Sequence, residues 1–192
     1  QEGLALHERL ADSASIANDL NAIGRVQMLR GDHGKAVDLY QQSLHIQEVL
    51  GNKRGICTSL ANLGGLYLNQ RDWNEALGFY RRAAAMAEEL DDQHQLGTQL
   101  EEIGSCLEEL GDTTGSMHAY RRSEVIRLDI SDHHGLVNVR NRMASLLLDA
   151  VPFMLNAVRR MPGNPNVLFN ATLALLKHVE NCGWNERFAE QA

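Results

Sequence analysis

The sequence predicts an all-α solenoid, and three observations carry that prediction. First, the stretch Gly64 to Tyr80 (GGLYLNQRDWNEALGFY) has an upstream copy from Gly24 to Tyr40 (GRVQMLRGDHGKAVDLY) and a downstream copy from Gly104 to Tyr120 (GSCLEELGDTTGSMHAY), giving a period of 40 residues. Gly24, Gly64 and Gly104 fall in register, as do Asp32, Asp72 and Asp112, then Ala36, Ala76 and Ser116, then Tyr40, Tyr80 and Tyr120. Second, apolar residues within each period recur at intervals of three and four, the stripe of a helix with one buried face. Third, the breaks between stripes are themselves periodic. A repeat of roughly 20–50 residues marks an array whose units bury their apolar faces only against their neighbours. Function is therefore expected on an extended surface and not in one pocket.

Taken in order, residues 1–10 (QEGLALHERL) align with residues 41–50 (QQSLHIQEVL) through Leu4/Leu44, Leu6/Ile46, Glu8/Glu48 and Leu10/Leu50. The chain is thus expected to begin inside the second helix of a preceding unit, with a half repeat at 1–12 and full repeats at about 13–52, 53–92 and 93–132. In the central copy two helices are read, about Lys53 to Gln70 and about Asn74 to Asp91. Ile56, Leu60, Leu63 and Tyr67 form the stripe of the first, and Ala76, Leu77, Tyr80, Ala84 and Ala87 that of the second. Gly31-Asp32, Arg71-Asp72 and Gly111-Asp112 stop the first helix of each pair, the aspartate serving as acceptor for the free N–H groups of the next helix. Gly51-Asn52, Asp91-Asp92 and Ser131-Asp132 close each period in the same manner. A mid-helix glycine costs about 1 kcal/mol of propensity against alanine, so the aligned glycines imply a close helix crossing, with Ala36 and Ala76 expected to face them.

A fourth period opens properly: HHGLVNVRNRMA (133–144) aligns with KRGICTSLANLG (53–64), and a first helix is read over 133–148. The pattern then fails. The chain gives LLLDAVPFMLNAVRRMPGNPN, which holds all three prolines (Pro152, Pro162 and Pro165). Proline is tolerated in a first helical turn and not in mid-helix, so helix starts are expected near Pro152 and Pro165. Pro165 to Asn181, with Leu168, Phe169, Leu175, Leu176 and Val179, reads as one more first helix, and GWNERFAEQA after it resembles RDWNEALGFY after Gln70. Residues 149–192 are a diverged helical continuation of the array or its cap, or the passage near Asp149 marks a deletion.

Composition narrows the functional classes. Hydrophobic residues at 44% and charged residues at 22% are ordinary for a folded chain. The net charge is −7, and the arginines come as scattered pairs (Arg81-Arg82, Arg121-Arg122, Arg159-Arg160). Nucleic acid, which demands a clustered basic face, is not an expected partner. Asp149 interrupts the longest apolar run, Leu146 to Leu155, and no signal peptide opens the sequence, so no membrane association is expected. The first residue is Gln1, which suggests a piece of something larger. Cys57, Cys106 and Cys182 are dispersed without metal-ligand spacing, which favours a reducing compartment, the cytosol. The eight histidines are scattered, His133-His134 falls at a turn between units, and GGLY at 64–67 lies within a helix. No metal, cofactor or catalytic constellation is read, and an enzyme is not expected.

The frame G-x-x-[LYM]-x-x-x-G-D-x-x-x-A-x-x-x-Y resembles the tetratricopeptide repeat. Its longer period is similar to the 40-residue variety of kinesin light chains, Pins-like polarity scaffolds and many bacterial signalling proteins. The resemblance covers about residues 1–148. It implies antiparallel helix pairs in a right-handed superhelix, with a concave groove lined by the first helix of each pair. The motif positions that point into such a groove carry Asn18, Asn21, Ala22, Arg25 and Met28 in the first unit and Thr58, Ala61, Asn62, Gly65 and Leu68 in the second. The third unit places Thr98, Glu101, Glu102, Ser105 and Glu108 there, and the fourth Asn138, Asn141, Arg142, Ser145 and Leu148. The asparagines could pair with the backbone of an extended peptide. From Glu88 to Asp112 there are nine acidic residues and no Lys or Arg, which would steer a basic segment of a partner. The clamp by which some family members grip a C-terminal carboxylate needs Lys and Arg where this chain has Asn21, Thr98 and Glu102. The resemblance thus implies a protein-interaction scaffold for a peptide or helix. A regulatory or effector-sensing arm of a multidomain regulator, kinase or protease stays open, as does self-association through an uncapped repeat end.

Overall fold

Each break in the stripe pattern folds in the same way. The structure, a computed structural model, describes the backbone of residues 2–160 and the side chains of residues 12–146. Over that span the order is α1 (Glu2–Leu29), α2 (His33–Val49), α3 (Lys53–Asn69), α4 (Trp73–Glu89), α5 (Gln93–Glu109), α6 (Thr113–Asp129) and α7 (His133–Arg160). No strand occurs among the described residues. Every turn from Gly31 to Ser131 holds one residue with positive φ: Gly31 (83°), Gly51 (63°), Arg71 (62°), Asp91 (53°), Gly111 (81°) and Ser131 (58°). The next residue's N–H then reaches back five positions along the chain to a helical carbonyl, as in Asp72 N to Tyr67 O at 2.9 Å and Asp112 N to Leu107 O at 2.8 Å. That same residue caps the following helix. Asp32, Asn52, Asp92, Asp112 and Asp132 each accept from the backbone N–H three residues on, whereas Asp72 makes no side-chain cap bond.

The two long helices arise where this turn chemistry is missing. A turn is expected at Ala11-Asp12, yet α1 runs unbroken from Glu2. Alanine, the best helix former, stands where the other periods place Gly51, Asp91 and Ser131. A helix start is expected near Pro152, yet α7 continues through it to Arg160. The position equivalent to Gly31, Arg71 and Gly111 is Val151, and a β-branched side chain resists positive φ. Without the stop, α7 runs on through Pro152 even though a proline inside a helix costs about 3 kcal/mol. Pro165 and the helix read after it lie outside the described residues.

By contacts the chain divides into two compact units, Gln1–Met143 and Ala144–Ala192. In the first unit each helix from α1 to α6 packs against its neighbour in sequence, and α1 also touches α3. Its core joins Leu60, Leu63, Leu66, Leu100 and Ile103 of the first helices to Tyr40, Tyr80, Ala83 and Ala87 of the second. In the second unit residues 144–160 are helical. No helix among the described residues is long and apolar enough to cross a membrane.

The aligned glycines do mark close approaches, but tyrosine and not alanine faces them. A β-carbon on Gly24 would lie 2.7 Å from Tyr40 Cε1, one on Gly64 2.8 Å from Tyr80 Cε1, and one on Gly104 closer still to Tyr120 Cε1. Glycine leaves a slot for the flat of a ring, and the ring crosses the hairpin to put its hydroxyl beyond the first helix. A second contact repeats at the period. Ser43 Oγ donates to Ala17 O at 2.7 Å and Ser123 Oγ to Gly97 O at 2.7 Å. In the central unit the serine is Ala83, and Cys57 donates to Ala83 O at 3.4 Å instead.

Candidate functional site

The tyrosine slots decide what gathers on the first-helix face. Tyr80 Oη lies 3.5 Å from where a β-carbon on Gly65 would be. One period on, Ser105 replaces Gly65, and its hydroxyl meets Tyr120 Oη at 3.2 Å while donating to Glu101 O at 3.2 Å. Tyr120 Oη in turn donates to Glu108 Oε2 at 2.9 Å. Burial pushes the Tyr120 hydroxyl up to about 12, opposed by the Ser105 hydrogen bond. Burial also raises Tyr80, with the Glu102 charge adding to it. Neither phenol ionises near neutral pH, so both act as fixed dipoles.

Glu101 and Glu102 are adjacent in sequence and differ in surroundings. Glu101 accepts from Arg127 Nη2 at 2.8 Å. Arg127, 5% exposed, also bonds Asp132 through Nη1 and Ser123 Oγ through Nε at 3.1 Å. That carboxylate is therefore neutralised from behind. Glu102 is half-buried and makes no hydrogen bond or salt bridge among the described residues. Its carboxyl is raised above the usual range by burial first and by the Glu101 charge second, with Arg142 opposing. Cys106, beneath it, is pushed up to about 11 by burial and then by Glu102, so its thiol is inert as a nucleophile near pH 7. Cys57 is likewise raised by burial.

The other residues read from the sequence are placed as follows. Asn21 is 7% exposed and hydrogen-bonds Ser59 Oγ through Nδ2 at 3.0 Å, so it holds α1 to α3. Asn18 is exposed and accepts from Gln47 Nε2 at 3.5 Å. Arg25 is exposed and lies close enough to Tyr40 to lower its pKa against the burial that raises it. The Thr58 and Thr98 hydroxyls donate to their own helices, at Arg54 O and His94 O. Asn62 is half-buried, and Asn138, Asn141 and Arg142 are exposed. The structure brings Glu101, Glu102, Ser105 and Glu108 together on α5 and leaves the asparagines apart. Tyr80, Tyr120 and Arg127 are the members of this cluster that sequence reading assigned to the core or passed over. The 40-residue spacing of the tyrosines is the signal in the sequence, but where their hydroxyls emerge depends on packing within each hairpin. No group of His, Cys, Asp or Glu among the described residues is arranged to hold a metal ion.

A family model for the tetratricopeptide repeat matches residues 20–48 and 59–93. No curated protein matches the chain. Among solved structures, BtubC (BKLC) from P. vanneervenii is similar, with TM-score 0.65 at 18% identity, covering 95% of this chain and 78% of that one. A Podosopora anserina chain of nearly identical TPR-like repeats, assigned to kinesin light chain, gives TM-score 0.58 at 12% identity, covering 93% of this chain and 92% of that one. Aspartyl phosphate phosphatase F from Bacillus subtilis gives TM-score 0.54 at 11% identity, covering 87% of this chain and 50% of that one. At such identities the likeness is one of fold. Repeats of this kind generally mediate protein–protein interaction, and the fold is typically non-catalytic. With its hairpins, its period and these matches, the chain has the fold of a tetratricopeptide repeat array, and residues 20–48 and 59–93 match that repeat's family model.

Proposed function

We propose that this chain is a non-catalytic scaffold that binds a peptide or helix of a partner protein along the first-helix face, taking a Lys or Arg of that partner at α5. It would act as part of a larger signalling or assembly protein in a reducing compartment, the cytosol, in line with free, buried Cys57 and Cys106. The observation that carries the reading is Glu102. A half-buried carboxylate without a hydrogen bond is unfavourable in the free protein, and an incoming cation would supply what it lacks. Glu101 is satisfied by Arg127 and serves to position it. Glu108 and the Tyr120 hydroxyl offer a second acceptor along the same face. The net charge of −7 speeds the encounter with a basic segment.

The test is binding of a displayed library of Lys- and Arg-containing peptides, with affinities measured by isothermal titration. A charge-assisted hydrogen bond is worth about 1.5–3 kcal/mol, so Glu102→Gln is expected to weaken the best peptides about tenfold or more. Glu109→Gln, on the exposed side of the same helix, leaves them unchanged. Equal binding by wild type and Glu102→Gln would show that α5 does not take the cation. Reversal of Glu101 is the poorer probe, because a lysine there would face the buried Arg127.

A further inference from the structure

On the side of α5 away from Glu101 and Ser105, a recess of about 400 Å³ opens between α4 and α6. Leu100, Ile103, Leu107 and Ala119 line it, together with the charged Arg81, Arg122, Glu88 and Asp112. The internal repeat explains why it is there. Forty residues earlier the positions of Leu107 and Ala119 are Tyr67 and Phe79. Those two rings stack with centroids 5.4 Å apart and planes 8° from parallel, filling the equivalent space between α2 and α4. The Arg82 guanidinium, at the position of Arg122, lies 5.9 Å from the Phe79 centroid. The cross-unit pair repeats as well: Arg82 meets Glu48 at 3.8 Å and Arg122 meets Glu88 at 2.8 Å. The frame, the apolar lining and the arginine are thus retained, and the aromatic pair is gone.

We propose that this recess seats an aromatic side chain, Phe, Tyr or Trp, of a partner polypeptide. The first interface shows what fits such a space in this backbone, a flat ring under a guanidinium. Glu88 and Asp112 also line the recess and Glu88 pairs with Arg122 at 2.8 Å, but Arg82, paired with Glu48 in the same way, still lies over the Phe79 ring, so Arg122 can meet the negative face of a seated ring as Arg82 does. The proposal is independent of the acidic first-helix face, because the two sets of side chains leave α5 in opposite directions.

The test is a selection of random dodecapeptides against the full chain, together with methyl NMR of the wild type during titration with N-acetyl-tryptophanamide and with N-acetyl-leucinamide. The selected peptides are expected to carry an aromatic residue, and the aromatic amide alone is expected to shift the Leu100, Ile103 and Leu107 methyls. Ala119→Phe, which refills the recess as Phe79 does, is expected to weaken the peptides at least tenfold, whereas Glu109→Gln, exposed on α5 and outside the recess, binds them as wild type does. Selected peptides without aromatic residues, equal shifts from both amides, or undiminished binding by Ala119→Phe would each overturn the proposal. The wild-type methyl shifts decide the matter even if Ala119→Phe fails to fold.

Discussion

A single β-carbon separates two kinds of glycine in these helices. Gly64 leaves the slot that the Tyr80 ring occupies, and Gly78, exposed on α4, has nothing within 4 Å of where its β-carbon would be. Alanine at position 64 must displace a ring buried on both sides, and overpacking of that kind costs roughly 1–3 kcal/mol. The intrinsic preference of a helix for alanine over glycine returns about 1 kcal/mol. The expected outcome is that Gly64→Ala lowers stability by up to about 2 kcal/mol, while Gly78→Ala raises it by about 0.5–1 kcal/mol. Urea unfolding of the two variants checks this directly. If both shift the midpoint the same way, the ring slot is not what holds glycine at position 64.

Between helices, adjacent units adjust their fit with pairs of residues that are eight apart in sequence. Gln47 is fully buried, and a β-carbon on Gly55 would collide with its amide. In the next unit the sizes at the same two positions are exchanged, with a buried Ala87 and the larger Gln95. In the third, Arg127 is large again and stands against Gly135. This predicts coupling. Gly55→Ala is expected to destabilise the wild type, and in a Gln47→Ala background it is expected to be neutral or better, an interaction energy of about 1 kcal/mol in a double-mutant cycle. Simple additivity would refute the pairing. The same exchange shows what could be read from one sequence. The period, the helix pairs and the caps were legible, because positive-φ turns and Asp acceptors are local chemistry. Compensation across an interface was not, since Gln47, Ala87 and Arg127 look like three unrelated residues until Gly55, Gln95 and Gly135 are placed beside them. The α5 cluster was half legible. Glu102 and Glu108 were placed by repeat register, but the withdrawal of Glu101 by Arg127 and the reach of Tyr120 depend on packing between units.

Over the whole array, half-buried and capping carboxylates give stability opposite dependences on pH. Asp32 is held below the usual range chiefly by the Lys35 side chain, and Asp132 chiefly by the Gly135 backbone N–H. Their contributions are present above the unfolded value of about 3.9 and are lost as pH falls through the folded values. Glu102 has the other sign. Its folded pKa is raised by burial, so between the unfolded value, about 4.3, and the folded one the native state binds the extra proton. Stability from this group therefore falls as pH rises through that window, and above it the chain keeps a desolvated charge at a constant cost. Glu102→Gln removes the charge and keeps the shape. The variant is expected to melt at a higher temperature than wild type at pH 7 to 8, with the difference shrinking toward zero near pH 4. Thermal melts by circular dichroism across this range check it, and parallel curves for the two proteins would mean that Glu102 is as well solvated as a surface carboxylate. Because each unit leans only on its neighbours, a group that weakens α5 loosens its packing against both α4 and α6. Under the proposed function, that cost is what an incoming cation would relieve.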